Sequence, residues 1–403
     1  MQNRLALTFI LITVTLDSIG IGLIFPVMPD LLQAVTGGNL AQAAIWGGVL
    51  STAFAMMQFV CGPVIGNLSD RFGRRPVLLV SLAVMAGNYL LMALAGSVWL
   101  LLVGRIGAGV AAATQSAATA YAADISTPEH RGRAFGLIGA GFGLGFVLGP
   151  VVGGLLATVG VRAPFYAAAG MALANLAFGA LILPESLAPA LRRPFVWVRA
   201  NPLAAFRAVG RLPGLGRLLV VFLILQIAGY VYPAVWSFYG KARFGWSTPM
   251  IGYSLALYGI AMVAVQALLI APTIRLFGEA RTLLWGFLID IVALTFYGLV
   301  TSGTAALVFT PVAALGGIVT PALQSIMSRA APANEQGELQ GVLASLGALS
   351  MILSPLIMTT TFSAFTAPGA PLYLPGAPFL LSALLMVVCV ALHVAPSRER
   401  TPA

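Results

Sequence analysis

Residues 5–28 read LALTFILITVTLDSIGIGLIFPVM, 24 positions in which the only charge is Asp17. A run of this length is far too long for a strand of a lipid-facing barrel, which spans in about ten residues, whereas a helix covers the roughly 30 Å hydrocarbon core of a bilayer in about 20. No small-residue cleavage site precedes the charged turn at Asp30, so the stretch reads as a first membrane span and not as a secretory signal. The rest of the chain repeats the pattern. Of 403 residues, 60% are AVILMFWYC and only 8% are DEKR, and mean hydropathy is +0.98. A large water-soluble protein is excluded. The apolar runs predict helices near 5–28, 41–66, 76–95, 98–122, 134–158, 164–184, 216–239, 248–273, 281–300, 304–327, 337–362 and 374–395. The fold class expected is therefore an all-α membrane protein with 12 transmembrane helices.

The basic residues set the orientation. Seventeen of the 21 fall in loops and ends on one side of these spans, against Arg162, Lys241 and Arg243 on the other, with Arg105 inside a span. The positive-inside rule then places both termini in the cytoplasm. The net charge of +10 thus reports topology; no soluble basic face long enough to bind nucleic acid exists. Cys61 and Cys389 lie in apolar runs without CxxC or Cys/His spacing, so no metal site or disulfide framework is expected, and no cofactor.

Glu185 to Arg217 is the one long hydrophilic stretch, and it divides the spans six and six. The domains expected are 1–184 and 216–403, six-helix bundles joined by a cytoplasmic linker at 185–215. Sliding the sequence by 205 positions superposes Phe72-Gly73 on Phe277-Gly278, Gly132 on Gly337, Gly136 on Gly341 and Pro150 on Pro355. Duplicated halves related by a pseudo-twofold axis enclose a central space that rocking opens to either side, which is transporter architecture.

Chemistry in such a protein rests on the few polar groups within the spans. Asp17 and Asp290 lie about 18 and 14 Å into theirs at 1.5 Å per residue, where an ionised carboxylate costs about 2.5–3.5 kcal/mol on insertion scales. Both are candidate proton-coupling sites. Arg105 keeps its charge and needs a carboxylate or carbonyl nearby; Asp17 is the expected partner. Gln58, Asn88, Gln115, Gln226, Gln266 and Gln324 offer amides to a cargo, and Tyr230, Trp236, Phe238 and Tyr258 predict an aromatic cavity suited to a flat, weakly polar molecule. The turn Gly66-Asn67-Leu68-Ser69-Asp70-Arg71-Phe72-Gly73-Arg74-Arg75 holds an acid among three arginines. Asp70 is expected to bond a helix N-terminus across the halves, near Gly337, and Asp124 to pair with Arg71 or Arg75 in the same gate. In the fifth span Gly145, Gly149, Pro150, Gly153 and Gly154 make a smooth, kinked face for close helix contact.

The last two strings, together with Leu16 to Pro29, resemble the signatures of the major facilitator superfamily and of its twelve-span drug/proton antiporters. Ser69 to Pro76, Arg105, Phe142 to Gly154, Arg243 to Ser247, Thr320 to Gln324 and Gln336 to Leu346 resemble the bacterial tetracycline efflux pumps over essentially the whole chain. The resemblance implies a proton-linked acid at Asp17, a membrane arginine at Arg105, a gate at Asp70, Arg71 and Arg74, the antiporter glycine-proline motif at Gly149 and Pro150, polar pocket residues at Gln58 and Gln266, and an essential acid at Asp290. Where those pumps place an aspartate in the third span this chain has Asn88, and where they place a histidine in the eighth it has Met262. Neither His130 nor His393 lies at a span centre, so coupling would rest on Asp17 and Asp290.

The function expected is proton-coupled efflux of a small amphipathic, drug-like molecule by alternating access, with tetracycline–magnesium one candidate cargo among hydrophobic drugs. A metabolite or organic-anion symporter or uniporter on the same fold is the alternative. An enzyme is not expected, and no GxxxxGK[ST] P-loop supplies nucleotide energy. The partners expected are a small-molecule substrate, protons and membrane lipid, with the monomer as the working unit.

Overall fold

The computed structural model describes the backbone of residues 2–112, 114–127, 130–197, 201–202, 212 and 214–395, and their side chains apart from those of 2–6, 114–116 and 333. Among the described residues every regular element is a helix. Eleven helices are long and apolar enough to cross a membrane, and Val98–Ala111 with Thr114–Ile125 supplies a further crossing as the fourth span. The first, second, third, fifth and sixth spans are Gln2–Ile24, Leu40–Phe72, Arg74–Leu94, Arg131–Leu156 and Ala163–Ile182. The seventh to twelfth are Gly216–Phe244, Thr248–Leu268, Glu279–Leu299, Gly303–Ala330, Gln336–Ala364 and Ala377–Val394.

The departures from the expected boundaries follow from proline. The first span, expected to reach residue 28, stops at Ile24; Pro26 lies in the turn that follows, and Pro29 opens a short helix, Met28–Thr36. The seventh span breaks at Tyr230, the eighth at Leu269, and the tenth passes through a 3-10 turn at Leu315–Ile318. Each break ends about one turn before a proline, at Pro233, Pro272 and Pro321. The ring removes an N–H and crowds the carbonyl four residues back, so the helix gives way there.

The repeat seen in the sequence has a backbone counterpart. Gly73 ends the second span and Gly278 ends Ile270–Phe277, the helix that follows the eighth, with φ of 108° and 75° and ψ of 160° and 164°. Only glycine takes that conformation at no steric cost, which explains its recurrence at both positions. Pro150 and Pro355 each lie inside a long helix at equivalent places.

The glycine face of the fifth span seats two partners. A methyl group on Gly145 would lie 2.5 Å from the Ser18 Cβ, and one on Gly149 would lie 2.7 Å from the Gly22 Cα, so the first span rests directly on this stripe. Gly154 faces Thr248 and Pro249 of the eighth span, and the Pro150 carbonyl meets Gly252. The same helix therefore fixes the height of Asp17 within its own half and touches the other half.

Contacts between the first and last six spans cluster toward the arginine-poor end. Lys241 donates to Asp30 Oδ1 at 2.7 Å, and Thr248 donates to Asp30 Oδ2 at 2.5 Å. Ser237 donates to the Phe25 carbonyl at 2.8 Å and Thr52 to the Ile352 carbonyl at 2.9 Å, while Gly47 packs on Phe238.

Candidate functional site

A cavity of about 400 Å³ lies between the two sets of spans, within the range of small-molecule sites. The first half contributes Asp17, Gln58, Asn88, Tyr89 and Arg105 to its wall, and the second contributes Tyr230 at the proline break of the seventh span. Phe25, Phe54, Phe142, Phe146 and Phe238 line the remainder with flat apolar surface. Such a lining suits an aromatic cargo with a few polar groups.

The polar wall is held open. Asp17 and Arg105 form no ion pair among the described residues, contrary to the pairing expected. The Arg105 guanidinium instead lies 4.9 Å over the Phe54 ring, with Nε buried and unpartnered. Tyr89 stands within electrostatic reach of both Asp17 and Arg105. Its hydroxyl, also buried and unpartnered, rests on Gly20, where a methyl group would approach within 2.7 Å. Gly20 is less than one helical turn from Asp17, so the tyrosine hydroxyl lies against the acid's own helix.

The other expected pocket residues are elsewhere. Trp236 and Tyr258 belong to an aromatic cluster inside the second half, around a small void shared with Tyr232, Leu255, Tyr297 and Thr310. Tyr232 stacks on Tyr258 at 5.1 Å, and Trp236 donates to Ser254 Oγ at 2.9 Å. The Met262 sulfur packs on Gly317, Gln226 points toward Gly347, and Gln266 and Gln324 are exposed. None of these six lines the central cavity; a uniformly apolar span does not announce which of its faces turns inward. Gln115 lies on the described helix Thr114–Ile125, but its side chain is outside the described part of the structure.

Asp290 also stands apart from that cavity. Its carboxylate lies directly against Gly316 in the 3-10 turn of the tenth span, where any side chain would collide with it. Tyr232 and Tyr258 feel its charge.

At the arginine-rich end, Arg74 is the hub. It pairs with Asp70 at 2.7 Å and with Asp124 at 3.2 Å and donates to Ser69 Oγ at 3.2 Å. Asp124 thus meets Arg74 and not Arg71 or Arg75, and Asp70 pairs four residues along its own chain instead of reaching the helix near Gly337. Asp70 and Arg74 flank the Gly73 turn, whose geometry brings them together. Arg71 lies over Phe72 at 5.1 Å, and Arg75 donates to the Ala180 carbonyl. Glu185 accepts the backbone N–H of Arg74 and Arg75, and the Arg193 N–H reaches the Asp70 carbonyl. The start of the linker is tied to this turn.

Several of these groups were passed over in the sequence. Tyr89 and Phe54 carried no signal beyond adjacency to Asn88 and to an apolar helix. Lys241, the only lysine in the chain and placed on the arginine-poor side, was a readable sign of a specific partner.

A two-sided bundle of twelve helical crossings, with a drug-sized cavity and an isolated acid and base in its wall, defines a membrane transporter, not an enzyme. The model of the Major Facilitator Superfamily matches residues 10–355. The chain is 42% identical over 390 residues to the class C tetracycline resistance protein of Escherichia coli, covering 97% of this chain and 96% of the relative. It is 38% identical to the class G tetracycline resistance protein of Vibrio anguillarum, covering 94% and 95%. The crystal structure of the human organic anion transporter MFSD10 (TETRAN) matches with a TM-score of 0.69 and 25% identity over 97% of this chain and 99% of that one. The chain belongs to the Major Facilitator Superfamily.

Proposed function

We propose that the chain exports a small amphipathic molecule of the tetracycline class across the bacterial cytoplasmic membrane, in exchange for protons, by alternating access. The observation that carries this reading is the position of Asp17: a lone carboxylate in the cavity wall that forms no ion pair with Arg105 of the same wall. A carboxylate there can hold a proton or a cargo donor, not both, which is the condition for exchange. Names of relatives at up to 42% identity over nearly the full chain support tetracycline as cargo.

In this reading both termini are cytoplasmic, and residues 1–184 and 216–403 rock as two units linked by 185–215, each monomer working alone. The Asp30–Lys241–Thr248 cluster closes the outer end, leaving the cavity to the cytoplasmic side. Asp70, Arg71, Arg74 and Asp124 serve the inner gate, and Gly149 and Pro150 let the fifth span slide against its neighbours. Gln58, Asn88 and Tyr230 contact cargo. Asp290 titrates within its own half, behind the Trp236 and Tyr258 cluster, and acts on the rocking equilibrium.

The test is tetracycline flux in proteoliposomes under an imposed pH gradient. Uphill accumulation driven by the gradient and abolished by an uncoupler supports the reading; flux indifferent to the gradient would establish a uniporter.

A further inference from the structure

Resting on the cytoplasmic placement of the linker in the reading above, we infer that residues 191–197, a strap at the start of the linker, form a docking surface for the anionic headgroups of the adjoining lipid leaflet, with Leu191 and Trp197 set into the headgroup layer and Arg192 and Arg193 on its phosphates. The strap is pinned to the first half. The Arg193 N–H donates to the Asp70 carbonyl at 3.1 Å, and the Asn67 side-chain amide donates to the Val196 carbonyl at 2.7 Å. The second-span residues in the cavity wall, Gly47, Ser51, Phe54, Ala55 and Gln58, share one helical face. Asn67 comes nine residues after Gln58, about two and a half turns on, and so faces away from the cavity. The strap therefore runs along the outer side of the second span, not across the cavity mouth. Its height is set too: the second span has 33 residues, about 50 Å of helix against a hydrocarbon core of about 30 Å, and Asn67 stands about 8 Å before its end. With the surplus shared between the two ends, the strap lies at the headgroup level.

At that level the strap turns apolar side chains outward. Trp197 is 76% exposed and Leu191 67% exposed, and the Phe195 ring braces the indole edge to face at 4.9 Å. Arg192 and Arg193 are exposed between them. From Ser186 to Arg217 the sequence carries six arginines and no acid, a balance complementary to an anionic leaflet, whose surface potential attracts each basic side chain held within a Debye length. Positive charge alone would satisfy the positive-inside rule. It does not account for a tryptophan and a leucine held out beside the arginines by two hydrogen bonds to a membrane-spanning helix. An indole, with an apolar ring and one N–H donor, is the side chain that settles at the membrane–water interface. The contact also bears on the gate, because the strap bonds the carbonyl of Asp70, the residue that pairs with Arg74. A leaflet that holds the strap holds this turn.

The test places the full-length chain in nanodiscs of phosphatidylcholine and phosphatidylglycerol in equal parts, with bromine carried near the head of the acyl chains of one lipid or the other. Trp197 fluorescence is taken as the difference between wild type and Trp197→Phe. Lipid is the same on both faces of a nanodisc, so the reading depends neither on membrane orientation nor on transport. The expected result is quenching at least about threefold greater with brominated phosphatidylglycerol than with brominated phosphatidylcholine. Arg192→Gln combined with Arg193→Gln should abolish that preference. Salt at about 1 M, which shortens the Debye length to about 3 Å, should do the same, and this arm is read on wild type alone as the quenching that salt removes. Arg131→Gln combined with Arg133→Gln takes the same charge from the start of the fifth span and should leave the preference unchanged. Equal effects of the two double variants would assign the preference to net charge and overturn the strap as its site. Equal quenching by both lipids would overturn the anionic headgroup as its occupant. Trp197 emission untouched by either lipid and open to aqueous iodide would overturn the docking surface and leave the strap to a water-borne partner.

Discussion

At position 17 the first half carries an aspartate facing the central cavity; 205 residues on, the second half carries the buried Phe222. The exchange runs the other way at Asp290, whose equivalent is Met85, a cavity-lining apolar side chain. Gly73 and Gly278, by contrast, keep both identity and backbone angles. The comparison separates what duplication preserves from what it releases. Positions where only glycine or proline satisfies the backbone persist, while the side chains that face cargo diverge, so a symmetric frame holds an asymmetric site.

The turns at the arginine-rich end sharpen the point. Asp70, Arg74 and Asp124 of the first half correspond at the same offset to Arg275, Glu279 and Arg329 of the second. The charges are inverted at all three, yet the pairing survives: Arg74 meets Asp124 at 3.2 Å and Glu279 meets Arg329 at 3.0 Å. The two pairs differ in burial, since the Arg74 side chain is 13% exposed and that of Arg329 is 76% exposed.

The largest effect is expected at the two acids. Asp17→Asn should lower gradient-driven flux by at least about 100-fold, the scale of losing a proton-transfer group, and abolish proton release on cargo binding. Asp290→Asn should reduce flux while leaving cargo affinity within about twofold, because its carboxyl stands apart from the cavity. Equal loss of cargo affinity in both variants would erase the difference drawn between the halves. Next comes the glycine stripe. Gly149→Ala places a methyl group against the backbone of the first span and should cost about 1–3 kcal/mol by thermal unfolding, the range for overpacking. Gly143→Ala, which meets nothing within 4 Å, should stay within about 0.5 kcal/mol.

Smaller effects follow at the gates. Arg74→Gln, which removes two ion pairs and a hydrogen bond from a half-buried hub, should slow transport by about tenfold; Arg329→Gln, largely solvated, should stay within about twofold. Comparable losses would show that the inverted pairs are also functionally equivalent. Lys241→Met should shift the balance toward the state open at the arginine-poor end by about fivefold or less, since a partly exposed ion pair contributes roughly 0–1 kcal/mol. A pair of spin labels across that end reads the shift directly.

Much of this was legible in the residues. The all-helical membrane fold followed from hydropathy, and even the breaks at Tyr230, Leu269 and Leu315–Ile318 stand one turn before prolines that were in plain view. What could not be read was facing. Trp236 and Tyr258 were expected in the cavity and lie in a separate cluster, because spans apolar on every side carry no stripe to orient them. Asp124 was expected to meet Arg71 or Arg75, and meets Arg74, because the Gly73 turn decides which arginine points inward. Arg105 was expected to meet Asp17 and instead lies over Phe54, an ordinary aromatic residue until the second span brings it to the cavity wall.

The most direct measurement is tetracycline and proton flux recorded together in proteoliposomes under an imposed pH gradient, for wild type and Asp17→Asn in parallel. If Asp17 alternates between proton and cargo, the wild type accumulates tetracycline against its gradient with a matching proton countercurrent, and the asparagine variant shows neither while still exchanging tetracycline across a symmetric pH. Uphill accumulation retained by Asp17→Asn would contradict the account.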